Sequence, residues 1–315
     1  MSKNFNYVTV DEYQLEITTY CNAACPQCPR NIAGGKINPH LPLCHLSRET
    51  IDKAFTKELC NRLRQVFFCG SYGDPIVHPN FLDILKDFRK KNPTLWLYMH
   101  TNGGVHNSDW WKELAQIING YGKIDFGIDG LNDTNHIYRQ DVAWDKVIER
   151  ASAFIDAGGI AHWKFVVFKH NVHQIQRADR LSKRMGFASF EVVNDERNHG
   201  PILNNQGEEV SWLMPHNRTE EKYSYDIETD LEILKNPLNL QNDYSDVIIN
   251  CELKREQNIF INVDGEVLPC CYHGVNQHIH PTGDTLQEQL DSFRWLEQTW
   301  GKKDCNETCY TACKR

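Results

Sequence analysis

Three cysteines near the start of the chain, Cys21, Cys25 and Cys28, stand as Cys-x-x-x-Cys-x-x-Cys behind a β-rich run. Three thiolates at this spacing can hold three irons of a cubane and leave the fourth open to an exogenous ligand, which a structural zinc site does not need. A zinc knuckle completed by His40 or His45 is the competing chemistry. A second group, Cys251, Cys270, Cys271, Cys305, Cys309 and Cys313, lies more than two hundred residues later. His273, His278 and His280 follow closely there and keep zinc open as an alternative. Two separated groups predict two metal sites, with Cys44, Cys60 and Cys69 read as core or loop thiols.

The rest of the composition narrows the setting. The chain has 315 residues, 40% of them hydrophobic, which is enough apolar material for a core and excludes wholesale disorder. A formal net charge of -8 argues against general nucleic-acid binding. No apolar run reaches membrane-spanning length, and Met1 to Asp11 lacks the order of a signal peptide, so a cytoplasmic protein is expected. Twelve cysteines in such a protein point to metal or redox chemistry before disulfides.

The elements that must position these thiols alternate. Strands are expected at Tyr13 to Thr18, Gln65 to Cys69, Trp96 to His100, Ile124 to Ile128, Trp163 to Phe168 and Phe190 to Val193. Helical patterns fill the gaps: Ser47 to Leu63, Asn80 to Phe88, Ser108 to Asn119, Trp144 to Ala157 and Gln174 to Met185. Parallel strands need crossovers, so the rhythm predicts an α/β fold: a partial (β/α)6 TIM barrel, open because six units cannot close an eight-stranded ring. Chemistry then gathers at the carboxyl ends of the strands. Residues 1–193 form this barrel, 194–250 read as a linker or substrate-covering insertion, and 251–315 as a small domain. In the last segment Asp264-Gly265 between two β-rich runs predicts a hairpin, and Thr285 to Trp295 a helix.

With the cysteine loop placed after the first strand, the chain resembles the radical S-adenosylmethionine (SAM) enzymes, whose motif is CxxxCxφC. The resemblance implies that Cys21, Cys25 and Cys28 bind a [4Fe-4S] cluster whose open iron takes the amino and carboxylate groups of SAM. Gln27 departs from the aromatic residue usual before the third cysteine. Tyr72-Gly73-Asp74-Pro75 is similar to the family's GGEP loop, which receives the methionine amino group. Thr101-Asn102-Gly103 ends strand three, and Asp129-Gly130 with Arg139 nine residues on resembles an SxDG…R pattern, with Gly127 where Ser is common. The likeness makes Gly73, Asp74, Asn102, Asp129 and Arg139 candidates for cofactor contacts.

Cys251, thirteen residues, Gly265, four residues and Cys270 resemble half of the SPASM or Twitch extension. The implied site is one auxiliary [4Fe-4S] cluster, with Cys305, Cys309 and Cys313 supplying the remaining ligands. Cys271 occupies the position where sulfatase-maturating relatives carry a basic Asp. It is expected to be a spare ligand, a hydrogen donor to the substrate radical, or a small buried thiol. The resemblance implies reductive cleavage of SAM to a 5′-deoxyadenosyl radical that abstracts hydrogen from a peptide or small-molecule substrate. It also implies an electron donor such as flavodoxin or ferredoxin. The insertion, with Trp212 and the acids Glu220, Glu221 and Asp226, is read as cover for that site or as a solvated face. A non-catalytic zinc protein is the alternative.

Overall fold

The structure is a computed structural model that describes residues 9–195, 200–216, 245, 248–275, 280–303 and 305–313. Glu220, Glu221, Asp226 and His278 lie outside these. Six strands, β1 (Glu12–Leu15), β2 (Gln65–Phe68), β3 (Trp96–Thr101), β4 (Gly122–Gly127), β5 (Ala161–Val167) and β6 (Ser189–Asn194), pair in parallel in chain order. They alternate with helices α1 (Arg48–Ala54), α2 (Lys57–Arg62), α3 (Phe81–Lys91), α4 (Ser108–Ile118), α5 (Asn135–Tyr138), α6 (Trp144–Asp156) and α7 (Ile175–Met185). The expected α/β architecture of six parallel units is therefore present, as an open sheet.

Local chemistry explains where the elements begin and end. Ser47 caps α1 by accepting the Thr50 N–H, and Thr50 returns a hydroxyl contact to Ser47 in place of the glutamate of a capping box. The pattern expected as one helix to Leu63 is two, because Thr56 caps a second start at α2. Asn107, not Ser108, caps α4, accepting the Trp110 N–H.

Each strand sends alternate side chains to opposite faces. One face is apolar: Tyr13, Leu15, Val66, Phe68, Leu97, Met99, Ile124, Phe126, Trp163 and Phe165 pack with the helices in a single core. Trp111, Phe126 and Phe154 meet there at ring distances of 5.3 to 6.4 Å. Burying each such ring is worth roughly 2 to 3 kcal/mol. The other face, turned into the partial barrel, carries Glu12, Gln14, Phe67, Tyr98, His100, Lys123, Asp125 and Lys164.

Two later segments join this frame. Strands β7 (Gly200–Leu203) and β8 (Glu209–Leu213) form an antiparallel hairpin within the expected insertion. The hairpin docks on the cysteine-loop segment through Leu203 N–H to Ala33 O, and on the end of β5 through Lys169 N–H to Met214 O. Leu213 is buried while Trp212 turns outward. The predicted C-terminal hairpin is β9 (Asn258–Ile261) and β10 (Val267–Leu268). Strand β9 pairs in parallel with β1, so the hairpin extends the same eight-stranded sheet. Two short helices, Leu286–Asp291 and Arg294–Thr299, take the place of the single one expected at Thr285 to Trp295.

Candidate functional site

The loop after β1 folds back on itself. Cys28 N–H bonds to Cys25 O, Asn31 N–H to Cys28 O, and Ala24 N–H to Gln140 O, so backbone bonds fix the three thiols. Cys25 and Cys28 both lie close enough to Cys21 to act on its charge, so the three gather as the spacing predicts. N–H donors are aimed at the sulfurs: Ala23 N at 3.3 Å and Asn102 Nδ2 at 3.5 Å from Cys21 Sγ, Arg139 Nη1 at 3.6 Å from Cys25 Sγ. Burial and the neighbouring Asp74 push the Cys21 thiol up, so a bound cation is what would hold it as thiolate. Three gathered thiols ringed by donors fit three irons of a cubane. Among the described residues no three His, Cys, Asp or Glu side chains converge on one metal ion, whereas cubane thiolates bind separate irons. His45, an alternative zinc ligand, stacks on Tyr20 at 4.6 Å.

Strand ends supply the surrounding polar groups. Asp74 Oδ2 accepts from Thr101 Oγ1 at 3.0 Å and Asn102 N at 2.8 Å, joining the loop after β2 to the end of β3. Burial pushes the Asp74 carboxyl up to about 6, against the hydrogen bonds from Asn102, Thr101 and Ile76. Gly73 has no room for a side chain, because a Cβ there would overlap the carbonyls of Thr18 and Tyr20. Asp129, fully buried, accepts Val166 N–H at one oxygen and Arg139 Nε–H at the other, both at 2.6 Å. Burial works against the Arg139 charge, but Asp129 and Cys25 outweigh it and hold the guanidinium well above its ordinary range. Arg139 thus bridges the end of β4 to the cysteine loop. Asp74 and Asn102 bear on Cys21 and Arg139 on Cys25, with Asp129 behind Arg139 and Gly73 next to Asp74 in the chain.

Gln27 bonds through Nε2 to both oxygens of Asp195, at 3.0 and 2.9 Å, just past β6. Where an aromatic ring is usual in the resembled motif, this chain ties its cysteine loop to the last barrel strand.

Two acidic groups escaped the sequence reading. Glu16, 1% exposed, accepts backbone N–H groups from Ser71, Tyr72 and Gly73, with Tyr72 N at 2.7 Å from Oε1. Burial lifts its carboxyl to about 7 against those bonds. Asp125 sits on the inner face with Tyr98 OH at 2.5 Å, His100 and Lys164 each at 3.2 Å, and Lys123 at 3.5 Å. Burial would raise its pKa, but His100, Tyr98 and Lys123 outweigh it and hold the carboxylate ionised. The signal was a polar residue at every second position, Glu12, Gln14 and Glu16, in a strand whose other face is apolar.

At the far end of the sheet one cavity is lined by Cys251, Cys270, Cys309 and Cys313, together with His273 and Trp300. Cys313 hydrogen-bonds to Cys251 and, with backbone N–H groups of Lys254 and Leu253, brings that thiol down to about 7 against burial. His273 Nε2 is 3.4 Å from Cys309 Sγ, and burial pushes its ring down to about 4. Cys305 is not part of the cavity wall; fully buried, its thiol bonds to Asn306 O at 3.8 Å. Four thiols on one cavity fit a cubane's ligand count. Cys271 is not in that wall; it packs against the cluster of Cys69, Phe260 and Leu268 and lies close enough to Glu16 to be affected by its charge. None of the twelve cysteines forms a disulfide. Among the described residues no helix is long and apolar enough to cross a membrane.

Comparisons with known proteins bear on the family and the fold. The model of the family described as the radical SAM superfamily matches residues 15–180. A tungsten-containing aldehyde ferredoxin oxidoreductase cofactor-modifying protein of Pyrococcus furiosus is 24% identical over 280 residues, covering 81% of this chain and 69% of that protein. Streptococcus suis SuiB superposes with a TM-score of 0.55 at 16% identity, over 92% of this chain and 65% of its own. The chain thus spans about two thirds of the length of either protein. The structure titled native anSMEcpe with bound AdoMet and Cp18Cys peptide gives 0.56 at 15% identity, over 96% of this chain and 85% of its own. The family brings with it a [4Fe-4S] cluster and SAM, and by its sequence and fold the chain belongs to the radical SAM superfamily.

Proposed function

We propose that the chain is an enzyme that binds SAM at a [4Fe-4S] cluster held by Cys21, Cys25 and Cys28 and modifies a peptide or small molecule. The observation that carries this reading is the ring of donors at strand ends, with Asn102 and Arg139 each within hydrogen-bond reach of a cysteine sulfur. The cluster would supply the electron that cleaves SAM to a 5′-deoxyadenosyl radical. Arg139, fixed by Asp129, offers a charged donor to the SAM carboxylate, and Asn102 a neutral one to its ribose or carboxylate oxygens. The loop of Gly73 and Asp74 would receive the amino group, while the Asp74 side chain keeps that loop against the end of β3.

The C-terminal thiols support an auxiliary [4Fe-4S] cluster in a SPASM- or Twitch-like segment, residues 251–315, behind the barrel of residues 1–193. Cys251, Cys270, Cys309 and Cys313 are its ligands in this reading, with Cys305 left as a packing thiol. The β7–β8 hairpin then covers part of the cysteine loop. Cys271, beside Glu16 on the inner face, is a hydrogen donor to the substrate. A flavodoxin or ferredoxin would deliver the electron. The similarity to SuiB and to the peptide-bound anSMEcpe structure favours a peptide substrate.

Anaerobic reconstitution tests the reading. The expected product is brown protein with about eight irons per chain that releases 5′-deoxyadenosine from SAM on reduction, and loses that release in Cys25→Ala. A colourless protein with stoichiometric zinc would overturn it.

A further inference from the structure

The C-terminal cavity holds polar nitrogens as well as thiols. His273 is 1% exposed, with Nε2 3.4 Å from Cys309 Sγ and Nδ1 buried without a hydrogen bond. Trp300 also bears on Cys309, favouring its charged form. Its buried indole N–H finds no acceptor at normal hydrogen-bond geometry among the protein's own atoms. The indole is held in place from behind: Lys254 Nζ stands 5.1 Å from the ring centre and 2.5 Å from Glu297. A buried indole N–H in the wall of a four-thiol cavity is costly unless a sulfur accepts from it, and Cys309 is the sulfur it bears on.

We propose that His273 and Trp300 are N–H donors to the sulfurs of the auxiliary cluster and set its reduction potential. This rests on the auxiliary-cluster reading above. A metal-bound thiolate carries no proton and can only accept, so the contact at Cys309 places the His273 proton on Nε2. Trp Nε1 is a donor in every state. Reduction adds one negative charge to the cluster, and N–H dipoles pointing at its sulfurs favour the added charge, raising the potential. Neither side chain is needed as a ligand, since four thiols already complete the set. They are positioning residues, acting through Cys309.

The test uses the full chain with Cys21, Cys25 and Cys28 replaced by Ala, so that only the auxiliary cluster contributes. Its midpoint is read by redox titration followed by electron paramagnetic resonance. His273→Phe is expected to lower the reduction equilibrium constant at least tenfold, a shift of about 59 mV for one electron, with iron content unchanged. Trp300→Phe should shift it in the same direction, and His273→Gln, which keeps an N–H, should recover most of the loss. An unchanged midpoint at full iron content overturns the proposal. Nitrogen hyperfine coupling lost in His273→Phe overturns it too, by making His273 a ligand. If the parent carrying the three replacements binds no iron at all, the auxiliary-cluster reading itself falls, and the proposal with it.

Discussion

Gly127 leaves the space that the Arg139 guanidinium occupies. A Cβ at position 127 would overlap Nη2 of Arg139, so the absence of a side chain there lets Arg139 lie between Asp129 and Cys25. Gly127→Ser should displace the guanidinium and lose a charged hydrogen bond worth about 1.5 to 3 kcal/mol. The expected result is SAM binding weakened roughly 10- to 100-fold with the iron content unchanged, measured by isothermal titration of the reconstituted protein. Equal affinity would mean that Arg139 has no part in SAM binding.

Cys305 and Cys270 separate two versions of the auxiliary site. Cys270→Ala should lose about four irons, while Cys305→Ala should keep them and show only the stability cost of a small buried cavity. Iron analysis on the two variants decides it. Loss of iron in Cys305→Ala would return Cys305 to the ligand set.

Cys271 lies near Glu16 and Cys69 and is not in the wall of the C-terminal cavity. Cys271→Ala should abolish substrate turnover at full iron content, with SAM cleavage still measurable. Unchanged turnover would make it a packing thiol.

Glu16 gives a pH signature. Its folded pKa, about 7, is raised above the ordinary carboxyl value of 4.5 because the ionised form is buried. The folded state therefore binds the proton more tightly than the unfolded chain. The stabilisation is complete below the unfolded value and is lost as pH rises through the folded one. Between pH 4.5 and pH 7 this amounts to about 3 kcal/mol. Comparing urea midpoints of the wild type and Glu16→Gln at pH 5 and pH 8 should show a smaller pH dependence in the variant. Cys69, Tyr72 and Cys271 also feel the Glu16 charge, but their thiols and phenol stay protonated in this range.

Asp125 balances the inner face. Asp125→Ala leaves Lys123 and Lys164 without their shared carboxylate and should destabilise the fold by about 3 kcal/mol or more, read as a lower thermal midpoint.

Strand order and most of the barrel were legible because the inner and outer faces of each strand differ and the helices carry clear apolar stripes. Trp163 to Phe168 and Gln174 to Met185 read directly as strand and helix, and the Asp264-Gly265 hairpin appeared where its turn residues put it. Local capping was harder to read. Thr56 starts a second helix where one continuous helix was expected, and Asn107 takes the cap expected of Ser108, since a cap depends on a neighbouring backbone angle that composition does not carry. The cysteine loop was legible from spacing alone, but the grip of Glu16 on Ser71 to Gly73 was not, because it joins positions some 55 residues apart through backbone atoms. That Cys305 is left out of the cavity wall while still bearing on Cys309 was hidden for the same reason: spacing alone does not fix which side chains share a cavity.

The pairing of β9 with β1 bears on how the molecule is made. Strand β1 carries the cysteine loop, yet among the described residues its outer edge is paired by residues 258–261. Asn258 closes the junction through its side-chain bond to Glu12, across 246 positions. A ribosome must therefore finish most of the chain before that edge is covered, and contacts of such long range are slow to form. Until then β1 presents an open strand edge to other chains. If Cys21, Cys25 and Cys28 hold a cluster as proposed, iron loaded during synthesis would meet a half-built sheet, and iron loaded after β9 has paired would meet a finished one.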